Sequence, residues 1–144
     1  MRWQLPTATA GGVQTICSNE TATVSGASSL NGFILWTENG SGNITNGQGT
    51  LSPTYTAALG EAGNTVTLTM TVTSTNACGT ATSTSPYLVV VDALPVANAA
   101  GGTQTICSTG TATVSGASAS NGSILWTHNG TGYIANATTL TSTY

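Results

Sequence analysis

The stretch Gly11-Gly12-Val13-Gln14-Thr15-Ile16-Cys17 returns as Gly101-Gly102-Thr103-Gln104-Thr105-Ile106-Cys107, a spacing of 90 residues. The same spacing relates Thr21-Ala22-Thr23-Val24-Ser25-Gly26-Ala27-Ser28 to residues 111–118, and Ile34-Leu35-Trp36-Thr37 to residues 124–127. It slips to 89 where Leu51 and Tyr55 correspond to Leu140 and Tyr144. So long a period marks tandem domains that each carry a core, since solenoid repeats are shorter units that stack to build one. Residues 1–4 then read as a leader or the end of a preceding unit, 5–93 as a complete domain and 94–144 as the first half of a second. The boundary falls at Asp92-Ala93-Leu94-Pro95, where Leu94-Pro95 matches Leu5-Pro6 at the head of the first unit. A short linker holding a proline has few free torsions, which predicts units placed end to end as a semi-rigid rod.

Each unit reads as all-β. Thr65-Val66-Thr67-Leu68-Thr69-Met70-Thr71-Val72-Thr73 alternates strictly, so Val66, Leu68, Met70 and Val72 share one face and five threonines the other. In Phe33-Ile34-Leu35-Trp36 the inward pair is Ile34 and Trp36, because the second unit keeps Ile124 and Trp126 while Phe33 becomes Ser123. These eight apolar residues are the expected core. Tyr87 to Val91 reads as the last strand, with Pro86 confining it to an edge, a bulge or a strand start. Asn31-Gly32, Asn39-Gly40, Asn46-Gly47, Asn121-Gly122 and Asn129-Gly130 supply turn chemistry, since both residue types tolerate positive φ. Short strands divided by such turns around a buried Trp point to a two-sheet immunoglobulin-like sandwich, the second one truncated.

Charged residues make up 3% of the chain, and its single basic residue is Arg2. With a net charge of −3 there is no cluster of cations for nucleic-acid phosphates or an anionic membrane surface. The longest wholly apolar run, Leu88 to Val91, is far short of the roughly 20 residues that span a bilayer. Cys17 and Cys78 both fall in the complete unit, and Cys107 is the copy of Cys17, so the repeat suggests a Cys17–Cys78 disulfide with the partner of Cys107 outside this segment. Such a bridge would stabilise by about 4 kcal/mol in the chain-entropy model and would favour an oxidising, extracellular location. Two buried free thiols are the other reading.

Gln14-Thr15-Ile16-Cys17, Ile34-Leu35-Trp36, Ser52-Pro53-Thr54-Tyr55-Thr56, Val66 to Val72 and Cys78-Gly79-Thr80-Ala81-Thr82 occur in this order. The ordered set resembles the PKD-like, immunoglobulin-type repeats of large surface adhesins of the Bacteroidota. That resemblance implies a β-sandwich repeated many times in an exported protein, often one carried by the type IX secretion system and used in adhesion or gliding. The turn after the tryptophan departs from the better-known PKD pattern, since it reads Thr37-Glu38-Asn39-Gly40-Ser41-Gly42.

Residues that could carry chemistry are sparse. The acids Glu20, Glu38, Glu61 and Asp92 stand singly, which suits neither calcium nor a paired-carboxylate hydrolase. His128 is the one histidine, and Glu38 stands at its position in the first unit, so a metal site or a serine triad is not expected. No catalytic, cofactor-binding or metal-binding residue is therefore assigned. The expected function is that of a non-enzymatic structural repeat, a stalk in an extracellular adhesin or surface filament, whose partners are neighbouring repeats or other copies in a filament. Two alternatives are a glycan-binding module using Trp3, Phe33 or Tyr133, and a water-ordering or ice-binding face built on the outward threonines. Without lysine, lysine-to-asparagine isopeptide links are impossible, which leaves the disulfide as the expected covalent staple.

Overall fold

The protein, as a computed structural model, is described over residues 2–82 and 85–144. Met1, part of the expected leader, lies outside the described residues. The chain is all-β with several sheets and divides into two compact units, Met1–Ala93 and Leu94–Tyr144.

The first unit contains β1 (Thr7–Thr9), β2 (Val13–Cys17), β3 (Thr21–Thr23), β4 (Ser28–Leu30), β5 (Gly32–Glu38), β6 (Asn43–Asn46), β7 (Thr54–Thr56), β8 (Thr65–Ser74), β9 (Thr80–Thr82) and β10 (Tyr87–Asp92). A single 3-10 turn, Leu59–Glu61, precedes β8. One sheet runs β2-β10-β8-β5, with β9 pairing the far end of β8. A second runs β3-β7-β6, and β1 pairs β4 separately. The two larger sheets approach along both flanks, where β2 meets β3 and β5 meets β6, giving a sandwich-like arrangement.

Alternation in β8 dictates the packing. Val66, Leu68, Met70 and Val72 are buried, and the register Trp36↔Met70 and Ile34↔Val72 brings the inward residues of β5 alongside them. Val89 and Val91 of β10 extend this layer, and Ala22, Val24 and Tyr55 cover it from the opposite sheet. Trp36 is fully buried with its indole N–H donating to the Thr50 carbonyl at 2.8 Å, whereas Ile34 is only partly buried. Pro86 sits just before β10, a strand start, which lets β10 occupy an interior position between β2 and β8. The β2–β10 pairing is parallel and joins the first long strand to the last, so the sheet is complete only when β10 is in place.

Corners follow the turn chemistry. Asn31 adopts φ 61° between β4 and β5, and its side-chain amide donates to the Leu5 carbonyl at 3.0 Å, tying the corner to the start of the unit. The second unit repeats both features, with Asn121 at φ 57° and its amide on the Leu94 carbonyl at 3.3 Å.

In the second unit the regular strands are β11 (Val96–Asn98) and β12 (Ser118–Ser120), which reproduce the β1–β4 pair. The copies of β2 and β5 carry no strand, although their sequences nearly match. In the first unit those strands bond to β10 and β8, whose counterparts do not occur in residues 94–144, whereas β11 and β12 have each other. Trp126 and Ile124, expected in a core, are consequently half-buried, unlike Trp36.

The disulfide expectation requires correction. Cys17, Cys78 and Cys107 are all free thiols. Cys17 lies level with Asp92 at the end where β8 begins, because Asp92 follows the pair Val90↔Thr65. Cys78 lies in the turn beyond Ser74, where β8 ends. The ten residues of β8 separate them, about 30 Å at the rise of a strand. A disulfide needs Cα atoms within roughly 7 Å. Spacing along the sequence had suggested a closed loop, but the pairing of β2 with β10 carries its cysteine to the opposite end of the sheet.

Candidate functional site

The most organised polar cluster surrounds Glu61, one of the acids that stand alone in the sequence. The 3-10 turn Leu59–Glu61 swings its carboxylate under the β5–β6 corner, leaving it 2% exposed. Its Oε1 accepts from the backbone N–H of Ser41 and of Gly42 and from the Tyr55 hydroxyl, the last at 2.7 Å. Its Oε2 accepts from the Ala58 N–H at 2.8 Å. The Tyr55 hydroxyl in turn accepts from Gly42 N–H at 3.0 Å. Glycine is required on the corner because a Cβ on Gly40 or Gly42 would collide with the Tyr55 hydroxyl.

Electrostatics follow from this geometry. Burial pushes the Glu61 carboxyl up, but the donors from Tyr55, Ala58, Ser41 and Gly42 outweigh it and hold the group below its ordinary value. Burial, together with the bond to Glu61, pushes the Tyr55 hydroxyl well above the ordinary tyrosine range. A carboxylate held in its ionised form by surrounding donors, beside a tyrosine that keeps its proton, ties the β5–β6 corner to the 3-10 turn. Part of this constellation recurs in the second unit, where Gly132 N–H donates to the Tyr144 hydroxyl at 3.2 Å and His128 lies 5.2 Å from the Tyr144 ring. Sequence reading passed over Glu61, although the recurrence of Gly40-Ser41-Gly42 with Tyr55 as Gly130-Thr131-Gly132 with Tyr144 was the available signal. Glu38, at the position of His128, keeps a buried oxygen without a hydrogen-bond partner.

The outer face of the five-stranded sheet is the second candidate. Register sets Thr37, Thr69 in one row, Leu35, Thr71, Thr82 in the next and Phe33, Thr73, Thr80 in the third. Thr67 adjoins Leu88 and Thr65 adjoins Val90. In these rows threonine hydroxyls are interleaved with apolar side chains, and the acid Asp92 ends the outward side of β10.

The aromatic residues considered for glycans are each exposed: Trp3 at 64%, Phe33 at 72% and Tyr133 at 77%. Trp3 and Phe33 belong to the first unit and Tyr133 to the second. Among the described residues no group of three or more His, Cys, Asp or Glu could hold a metal ion. No helix of the described residues is long and apolar enough to cross a membrane. No protein-family model matches the chain, and no curated protein matches it.

Proposed function

We propose that the chain is a segment of a repetitive extracellular adhesin or surface filament, in which PKD-like, immunoglobulin-type units serve as a non-enzymatic stalk. The observation that supports this reading most is that side-chain hydrogen bonds, and not only sequence, recur from unit to unit. Trp36 Nε1 to Thr50 O and Trp126 Nε1 to Thr139 O are both 2.8 Å. Gln14 and Gln104 each accept from the N–H nine residues on, at Thr23 and Thr113. Asn31 and Asn121 each hold the head of their unit, at Leu5 and Leu94. Repeating one packing solution serves length, because every added unit extends the chain without new chemistry. A surface carried by threonine, serine and asparagine keeps such a stalk hydrated while offering trypsin-like proteases only Arg2.

Cell attachment tests the stalk reading. Deleting the repeats while export stays intact should abolish attachment, and inserting an equal number of unrelated β-sandwich domains should restore it. Failure of that restoration would assign a specific adhesive role to these repeats instead.

The threonine rows on the outer sheet favour one further reading, a water-ordering or ice-binding face. Where threonines adjoin, as in Thr71 with Thr82 and Thr73 with Thr80, strand spacing and residue rise set neighbours roughly 4.8 Å apart across strands and 6.7 Å along them. Thermal hysteresis that disappears in Thr69→Lys/Thr71→Lys would support it, and an absence of hysteresis in the parent chain would end it.

A further inference from the structure

The second unit holds an apolar groove of about 360 Å³ between β11, β12 and the segment that follows β12. Ala97, Ala117, Ile124 and Trp126 line it. Their counterparts in the first unit all belong to the core, Trp36 inside it and Ala8, Ala27 and Ile34 packed against it. The element that covers those counterparts is β8, which pairs with β5 along Gly32–Glu38 and lies against β1. Register sets Met70 beside Trp36 and Val72 beside Ile34, so the groove has the outline of a strand like β8. Its tryptophan is already anchored as in the first unit. Trp126 N–H donates to the Ala137 carbonyl at 2.8 Å, as Trp36 N–H does to Gln48 at 3.1 Å, and both indoles are held at 2.8 Å. Because Trp36 turns its N–H away from β8, the backbone groups that meet β8 are those of Phe33, Leu35 and Thr37, whose copies are Ser123, Leu125 and Thr127.

We propose that this groove binds an extended strand of a separate polypeptide, added antiparallel to residues 122–128, with Val, Leu or Met at alternate positions turned inward and threonines turned out. Strand addition draws affinity from main-chain hydrogen bonds and selectivity from pockets for alternate side chains. Ser123, Leu125 and Thr127 supply the first, and the space over Ala97, Ala117 and Trp126 supplies the second. A helix does not meet this description, since the inward residues of β8 recur at every second position. The strand comes from another molecule and not from β8 itself, because Val66, Leu68, Met70 and Val72 are buried in the first unit. The inference stands apart from the stalk reading, since a unit that binds no strand still serves as a spacer.

The test titrates the full chain, 15N-labelled, with a synthetic peptide of the β8 sequence, Thr65 to Ser74, carrying an N-terminal trilysine tail for solubility. The expected result is saturable NMR shifts confined to residues 94–144, the Trp126 indole among them. Amide exchange at Ser123, Leu125 and Thr127 should slow by about tenfold or more. A nitroxide on the C-terminal end of the peptide should broaden Gly122 more than His128, because Gly32 pairs with Ser74 and Glu38 with Leu68. The same tailed peptide with Leu68→Ser/Met70→Ser should bind about a hundredfold more weakly or worse, since each buried apolar side chain contributes roughly a factor of ten or more. No saturable binding, equal binding of the serine peptide, stronger broadening at His128, or shifts confined to residues 5–93 would each overturn the proposal. So would a dimer that protects Ser123, Leu125 and Thr127 without peptide, which would give the groove to a second copy.

Discussion

Replacing Glu61 by Gln keeps the shape of the corner and removes its charge. Two consequences follow from the contacts. The bonds from Tyr55, Ser41 and Gly42 to Oε1 become neutral, losing the roughly two-fold advantage of an ionised acceptor. An amide nitrogen in place of Oε2 sets a donor against the Ala58 N–H, leaving a partly buried donor unmatched. The combined loss is about 2–3 kcal/mol, with charged hydrogen bonds and unsatisfied groups each counted at their usual net values. Urea unfolding, followed by Trp36 fluorescence in a Trp3→Phe/Trp126→Phe background, should show the midpoint at pH 7 falling by about 1–2 M. The pH dependence has a definite sign. Because folding lowers the Glu61 value below its ordinary 4.5, the stabilisation is complete above about that pH and is lost as pH falls through the folded-state value. The gap between parent and variant should therefore narrow on acidification. Equal midpoints at pH 7, or a gap that does not narrow in acid, would refute the assignment of a structural carboxylate.

Tyr55→Phe removes one donor to Glu61 but leaves Gly42 N–H on the carboxylate, so it should cost about 1–2 kcal/mol by the same unfolding assay, less than Glu61→Gln. Leu68→Ala empties a fully buried site in β8 and should destabilise by about 2–5 kcal/mol, whereas Phe33→Ser, which installs the residue of the second unit at an exposed position, should stay within about 0.5 kcal/mol. Gly42→Ala forces a methyl into Tyr55 and should destabilise the unit by about 2 kcal/mol or more, read as a lowered thermal midpoint.

Alternation and the repeat made much of the fold legible. The nine-residue run of β8 is readable directly, and the exchange of Phe33 for Ser123 marks Ile34 and Trp36 as the inward residues, of which Trp36 is fully and Ile34 partly buried. Two features were not legible for physical reasons. Whether Cys17 meets Cys78 depends on which way β2 runs against β10, and spacing in a sequence carries no strand direction. Glu61 draws much of its surroundings from backbone amides of a loop some 20 residues away, whose mark in residue identity is confined to the recurring glycines and tyrosine and does not point to the acid. Residues 103–107 carry strand-forming sequence without a strand, since a ladder requires the partner that β10 provides to β2.

Amide hydrogen exchange tests most directly whether the first unit is a closed sandwich whose strands depend on their partners. Gln14-Thr15-Ile16-Cys17 and Gln104-Thr105-Ile106-Cys107 are identical, so the intrinsic exchange rates of their Thr, Ile and Cys amides match and any difference there reports hydrogen-bonded structure. The expected result is exchange in residues 14–17 slower than in 104–107 by about two orders of magnitude or more, with β8 the most protected segment. Equal protection of the two tetrapeptides, or rapid exchange throughout β8, would contradict the architecture.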